Sequence, residues 1–251
     1  MSIGPRPETF SRKNATYSHQ VSRVVADRYI MSTEMRWCED IGMFAVDRPI
    51  NDIPEAGVEG SCVHRTDHCN RTCYNVKLYQ VYPAMVGKDV RNERAWQEST
   101  GADYAAALDR KRKPTTRFRL MTRGEAIKDV GDIERVLDIC KANPERLIWV
   151  PTRAWRNPLL RALIEGTLFA VPNLAILASI DPETTDHEPE LIASGWNTMF
   201  YGDDSPQATE GRFLCPKTWR KIKGACGTCK AGCFAKPILG RTGVRVHLSE
   251  H

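Results

Sequence analysis

Hydrophobic residues fall in short solid blocks along the middle of the chain, and the blocks are separated by amphipathic stretches. Residues 43–46 (MFAV), 118–121 (FRLM), 147–150 (LIWV), 174–179 (LAILAS) and 198–201 (TMFY) read as five strands. After the second block, Ile133, Val136, Leu137 and Cys140 recur at i, i+3, i+4 and i+7, which predicts a helix that Asp132 can cap and Asn143-Pro144 ends. Asn157 caps the next helix, with Pro158 at its first position, Leu160, Leu163 and Ile164 on its apolar face, and Gly166 near its end. Residues 188–194 form a further short helix. Upstream, residues 90–108 read as helical in two pieces broken near Gly101, residues 74–85 are apolar enough to pack on the core, and residues 22–29 suit a short helix.

Solid apolar strands alternating with amphipathic helices predict a parallel sheet covered by helices. Five strands are fewer than a closed eight-fold barrel needs, so the expected fold is α/β, a partial or open (β/α) barrel. Its expected divisions are a loose arm over residues 1–20, a core over 21–212 and a small C-terminal cysteine-rich metal-binding appendage over 213–251. In such folds the site is built just past the strand C-termini. Here those positions are the loop at 61–75, Arg123-Gly124-Glu125, Thr152-Arg153, Ser179, Asp181 and Asp203-Asp204.

That loop, SCVHRTDHCNRTCYN, holds Cys62, Cys69 and Cys73 among polar neighbours, which is not how packing cysteines are usually placed. Three thiolates leave one coordination position open, as a catalytic cluster or metal requires. Zinc completed by His64 or His68 is the other reading of the same loop. Near the C-terminus Cys215, Cys226, Cys229 and Cys233 follow C-x10-C-x2-C-x3-C, enough thiolates to close a zinc site or fill a four-iron cluster. Lys217, Arg220, Lys221, Lys223 and Lys230 flank them. Cys140 belongs to a helix stripe and Cys38 stands alone, so both are expected to be structural.

The chain has 251 residues, 41% of them hydrophobic, and a net charge of +5 that tolerates a polyanionic partner without demanding one. Residues 1–20 lack an apolar run of signal-peptide length, and no stretch of about 18 apolar residues spans a membrane. Clustered cysteines in a chain expected to be cytoplasmic favour metal over disulfides. The run RKRK at 110–113 reads as a solvated loop. Arg153 and Arg156 are candidates to hold a carboxylate or phosphate, Trp149 and Trp155 are expected at core and rim, and His187, His247 and His251 show no partner pattern. No Ser-His-Asp constellation, P-loop or dinucleotide fingerprint is present.

The cysteine loop with its CY ending, the strand and turn at 119–125, the segment PTRAW at 151–155, the Ser179-x-Asp181 strand end and the terminal cysteines resemble phage "gene product eighty-eight" proteins over residues 45–233. The layout is in turn similar to radical S-adenosylmethionine (radical SAM) iron–sulfur enzymes. This second resemblance implies a 4Fe-4S cluster on Cys62, Cys69 and Cys73, with S-adenosyl-L-methionine chelated to the open iron and cleaved by one electron from an external donor. It implies that Gly124 and Glu125 meet the cofactor. Tyr74 and Ser179 are further candidates to bind it, and from their strand-end positions Glu125, Asp181 and Arg153 are the candidates for catalysis, with a helix cap, a turn or a solvated carboxylate as the other reading of the two acids. The C-terminal cysteines would hold a second 4Fe-4S cluster or zinc. The usual spacing in those enzymes is C-x3-C-x2-C with an aromatic before the last cysteine, whereas here it is C-x6-C-x3-C with Tyr74 after it, so the loop would bulge.

The phage setting and the basic flank point to a nucleotide or nucleic-acid base as substrate. A rival reading is a zinc-containing base-exchange transglycosylase with an aspartate such as Asp181 as nucleophile. A third is a non-enzymatic, zinc-stabilised nucleic-acid-binding protein, with Lys217 and its neighbours on phosphates.

Overall fold

A computed structural model describes residues 35–224, 226, 229, 233–234 and 243–249. The expected arm and the helix at 22–29 lie outside the described residues, as does His251.

All five expected strands form and lie side by side. In chain order the described elements are β1 (Arg36–Cys38), β2 (Met43–Val46), α1 (Asp67–Thr72), α2 (Tyr74–Val81), α3 (Pro83–Glu98), α4 (Gly101–Asp109), β3 (Arg117–Leu120), α5 (Val130–Ala142) and β4 (Leu147–Thr152). They continue with α6 (Pro158–Thr167), β5 (Leu174–Ile180), α7 (Glu188–Ala193), β6 (Asn197–Gly202), α8 (Pro206–Thr209), β7 (Phe213–Leu214), α9 (Pro216–Arg220) and β8 (Arg245–Ser249). Among the described residues the sheet has eight strands in the order β1-β2-β3-β4-β5-β6-β8-β7. Among the described strands only the β1–β2 pairing is antiparallel. From β2 to β6 the spatial order is the chain order, with no reversal.

The period-2 alternation of the strands sorts their side chains onto two faces. Phe44, Val46, Phe118, Leu120, Ile148, Val150, Leu174, Ile176 and Phe200 point toward the helices, where they pack with Trp96, Tyr104, Ile133, Val136, Leu160 and Leu191. Met43, Ala45, Trp149, Ala175, Leu177 and Met199 point the other way. There they meet Cys226, Cys233 and Phe234 from the C-terminal region. The main core is therefore one layer between sheet and helices, and the second face is covered by the cysteine-rich segment. Strands β7 and β8 join the same sheet, so the region after residue 212 builds part of the core domain at both of its described ends.

Three strands exceed the five expected. β1 and β7 are too short, at three and two residues, to show a period. β8 carries Arg245 and His247 on either side of Val246. The cap of α5 is also corrected: Asp129, not Asp132, accepts from the first turn. Asp132 lies inside that turn, 3% exposed, where Arg48 and the indole of Trp96 claim it. The break at Gly101 is a capping box, Thr100 with Asp103. No helix among the described residues is long and apolar enough to cross a membrane.

Asp47, fully buried at the end of β2, ties that strand to the turn after β3. Its carboxylate accepts from the backbone N–H groups of Thr122 and Arg123, both at 3.0 Å, and pairs with Arg123, Arg36 and Lys88 at 2.9, 3.1 and 3.2 Å. Burial alone would raise its pKa, but Arg123, Lys88 and Arg36 outweigh burial and hold it well below the usual carboxylate range. A carboxylate depressed in the fold stabilises above its unfolded pKa of about 3.9, and that contribution is lost as pH falls below it. Asp47→Asn is therefore expected to lower stability at neutral pH by about 3 kcal/mol, since Arg123 keeps Asp89 as a second partner. Below about pH 4 the variant's melting temperature should fall less steeply with pH than the wild type's. Thermal melts from pH 2 to 7 check both.

Candidate metal and ligand cavity

Between β2 and α2 the chain makes a long excursion, and a set of local bonds fixes where its cysteines end up. Ser61 joins the start of the loop to the turn after β3: its hydroxyl donates to the Pro49 carbonyl at 2.7 Å and accepts from the Glu125 N–H at 2.8 Å. Gly124 stands beside it with φ +80°, and a Cβ there would lie 2.6 Å from the Arg48 carbonyl oxygen and 2.7 Å from Ser61 Oγ. Glycine is required by both the backbone angle and the space.

Thr66 caps α1, accepting from the Cys69 N–H at 2.9 Å. The same hydroxyl donates to Asp181 Oδ2, which lies 2.8 Å from Arg153 Nη1. Arg153, after β4, and Asp181, after β5, thus reach across to the helix that carries Cys69. Arg156 donates to the carbonyls of His64 and Arg65 at 2.6 and 2.9 Å, so its role here is to hold the loop.

Cys69, Cys73 and Tyr74 line a cavity of about 270 Å³, near the lower end of small-molecule sites. Around it stand Thr122 after β3, Arg153 after β4, Ser179 in β5, Tyr201 in β6 and Leu248 in β8, one contribution from each successive strand end. On the floor lie Arg119 and Trp149, with the guanidinium 4.4 Å from the indole centroid. Cys215, Cys226, Cys229 and Cys233 also line the cavity. Two cysteine groups separated by some 140 residues of sequence therefore border one space.

Cys62 is not part of the lining; it packs with Cys73 and Val76 against Ile50, Ile53 and Tyr79. It is still close enough to Cys69 and Cys73 for their charges to act on it. Burial first, then Glu125 and those two cysteines, raise its pKa. Cys69 is raised by burial while Arg153 opposes. In the C-terminal group burial pushes Cys226 up to about 11 and Cys233 to about 12, with the neighbouring cysteines adding to it. Unloaded, these thiols keep their protons, and a metal must displace them. Among the described residues no three His, Cys, Asp or Glu side chains converge closely enough to hold a single metal ion as they stand. All nine cysteines are free thiols.

The other candidates divide. Glu125 is buried away from the cavity, its carboxylate accepting from the N–H groups of Arg153 and Ile127 at 2.8 and 3.2 Å, and burial raises its pKa. Asp181 is wholly buried: Oδ1 accepts from the Glu183 N–H, and Oδ2 faces Thr66 and Arg153. His64 Nε2 lies 3.0 Å from the Lys128 carbonyl oxygen and so carries the proton there. His68 Nε2 is buried without a hydrogen-bond partner among the described residues. Asp204 belongs elsewhere, with Ser249 Oγ at 2.7 Å and His247 Nε2 at 3.2 Å. His247, for which the sequence offered no partner, is fully buried between Phe200 and Trp219. Cys38 packs in the same apolar cluster as Cys226 and Cys233, so its isolation in sequence is not isolation in space.

Sequence reasoning missed the two arginines of β3. Arg117 donates to the Cys226 carbonyl at 2.6 Å and lies over Phe234, pinning the cysteine-rich segment to the sheet. Arg119 enters the cavity floor. The signal was there as alternation: RFRL places two cations on one face of a strand whose other face is wholly apolar.

No curated protein and no solved structure matches the chain. A family model described as gene product 88 matches residues 47–211, from the buried aspartate at the end of β2 to just before β7. Spanning the cysteine loop and four of the cavity's strand ends, that match shows that the chain belongs to the gene product 88 family.

Proposed function

We propose that the protein is an iron–sulfur enzyme of radical SAM type, acting in a phage setting on a small substrate such as a nucleotide or its base. The observation that carries the reading is the meeting of the two cysteine groups around one cavity at the strand C-termini. The unreversed order of β2 to β6 supports a partial (β/α) barrel, because strands wound in one direction with helices on one face curl toward closure.

Cys62, Cys69 and Cys73 would hold a four-iron cluster with one iron open, and the C-terminal four would hold zinc or a second cluster. The donor chemistry suits a cluster, since each group holds thiols that feel one another's charge and would draw together on loading; His64 Nε2 is committed to a carbonyl, and His68, whose Nε2 has no hydrogen-bond partner among the described residues, is the histidine a zinc site in this loop would use. When bound, the open cluster would supply a site for S-adenosylmethionine and the electron that cleaves it. The protein's part is orientation and exclusion of water. Thr66, Asp181 and Arg153 fix the helix bearing Cys69, Gly124 lets the β3 turn approach the cysteine loop, and Glu125 braces the residues at the end of β4. Apolar side chains from β6 and β8, Met199, Val246 and Leu248, keep the walls dry. With both Asp181 oxygens engaged in this scaffold, the base-exchange reading would need another aspartate as its nucleophile.

Anaerobic reconstitution with iron and sulfide tests the proposal. Iron and sulfide should bind stoichiometrically with a broad visible absorption, and dithionite with S-adenosylmethionine should release 5′-deoxyadenosine. A protein that takes zinc alone and stays colourless overturns it.

A further inference from the structure

Every large buried arginine in the core has its acid, and the half-buried Arg119 of β3 differs from them. Arg48 has Glu93 and Asp132, Arg123 has Asp47 and Asp89, and Arg212 has Glu188. Arg119 has none: among the described residues no carboxylate lies within ion-pair distance of it. Its Nε donates to the Met121 carbonyl at 3.0 Å, its guanidinium lies over Trp149, and among the described residues no acceptor takes its two terminal nitrogens. Arg153, 8% exposed and also lining the cavity, has a buried Nη1 that lies near Asp181 without an aligned hydrogen-bond acceptor. A guanidinium fork without an acid is a receptor for a planar or tetrahedral oxyanion.

We infer that the cavity binds a small organic phosphate monoester, with the phosphate on Arg119 and the apolar body against Met199, Tyr201 and Leu248. Charge favours phosphate over carboxylate. Asp181 neutralises Arg153, which leaves Arg119 and Lys217 as two cations on the lining, and a phosphate monoester carries about −1.5 to −2 at neutral pH. The volume, about 270 Å³, suits one small molecule. Arg119 is close enough to Cys226 for its charge to oppose the rise that burial gives that thiol, while the backbone of the segment is held by Arg117 through the Cys226 carbonyl. The inference does not depend on the iron–sulfur reading, and its test involves neither electrons nor S-adenosylmethionine.

Phenyl phosphate is the probe, titrated into the full-length protein by calorimetry, with phenol, benzoate and inorganic phosphate as companions and the metal content of each preparation measured. Phenyl phosphate should bind at least tenfold more tightly than phenol, benzoate or inorganic phosphate. Arg119→Gln should weaken it at least tenfold with metal content and melting temperature kept. Arg119→Lys, which keeps the charge without the fork, should fall between and serves if the glutamine variant does not fold. Equal binding by wild type and Arg119→Gln overturns the inference, as does benzoate or inorganic phosphate binding as tightly as phenyl phosphate. Loss of metal from Arg119→Gln also overturns it, by assigning the guanidinium to the cysteine centre.

Discussion

Replacing Cys62, Cys69 and Cys73 together by alanine is expected to abolish S-adenosylmethionine cleavage and to remove about four irons per chain from the reconstituted protein. If the C-terminal cysteines hold a second cluster, iron falls from about eight to about four; if they hold zinc, it falls from about four to none while zinc stays. The complementary variant, with Cys215, Cys226, Cys229 and Cys233 replaced, should lose only the second centre. The fold should survive the first set, because those thiols are half-buried and the loop is held by other bonds: Ser61 to Pro49 and Glu125, Thr66 to Asp181, and Arg156 to two loop carbonyls. Metal analysis, the visible spectrum and 5′-deoxyadenosine release read the three consequences separately. Iron content unchanged in the triple variant would sink the assignment of the open cluster to this loop.

The part of this architecture that was legible in the sequence is the part that hydrophobicity dictates. Five strands and the helices at 130–142 and 158–167 follow from solid apolar runs, a 3.6-residue stripe and the Asn157-Pro158 start. The cysteines announced themselves by type and spacing, and the family by its motifs. What stayed hidden is the chemistry of pairs that only folding brings together. Asp181 sits at a strand end where a reacting carboxylate would sit, and its neighbours in sequence say nothing of Thr66, 115 residues away. His247 lacked a motif because its partners, Asp204, Phe200 and Trp219, come from three other segments. Asp132 looked like a cap because a carboxylate opening a helix usually is one. Its assignment turned on Arg48 and Trp96, which come from outside that helix and approach it from the core.

Arg48→Met is expected to be the most damaging single substitution outside the cysteines. The guanidinium is fully buried against Trp96, at 5.0 Å from its ring, and is ringed by acceptors: both Glu93 oxygens at 2.6 and 2.7 Å, Asp132 Oδ2 at 2.9 Å, and the carbonyls of Glu125 and Ala126 at 3.2 and 3.3 Å. Methionine fills much of the volume but leaves two buried carboxylates without their cation, a loss of about 3–5 kcal/mol. At about 2–4 °C per kcal/mol for a chain of this size, the melting temperature should drop by roughly 6–20 °C. Neutralising the whole network, as Arg48→Met with Glu93→Gln and Asp132→Asn, should recover part of that loss, because the penalty lies in the stranded charges more than in the missing bonds. A drop below about 1 kcal/mol for the single variant would show that water or proton uptake relieves the carboxylates. The damage should extend to the cysteine loop. Arg48 opens the segment that leads to Cys62, and its carbonyl is the wall against which Gly124 packs, so a displaced residue 48 shifts both sides of the junction. Iron loading of Arg48→Met should therefore fall at temperatures where the variant is still folded, which separates a misplaced loop from a melted protein.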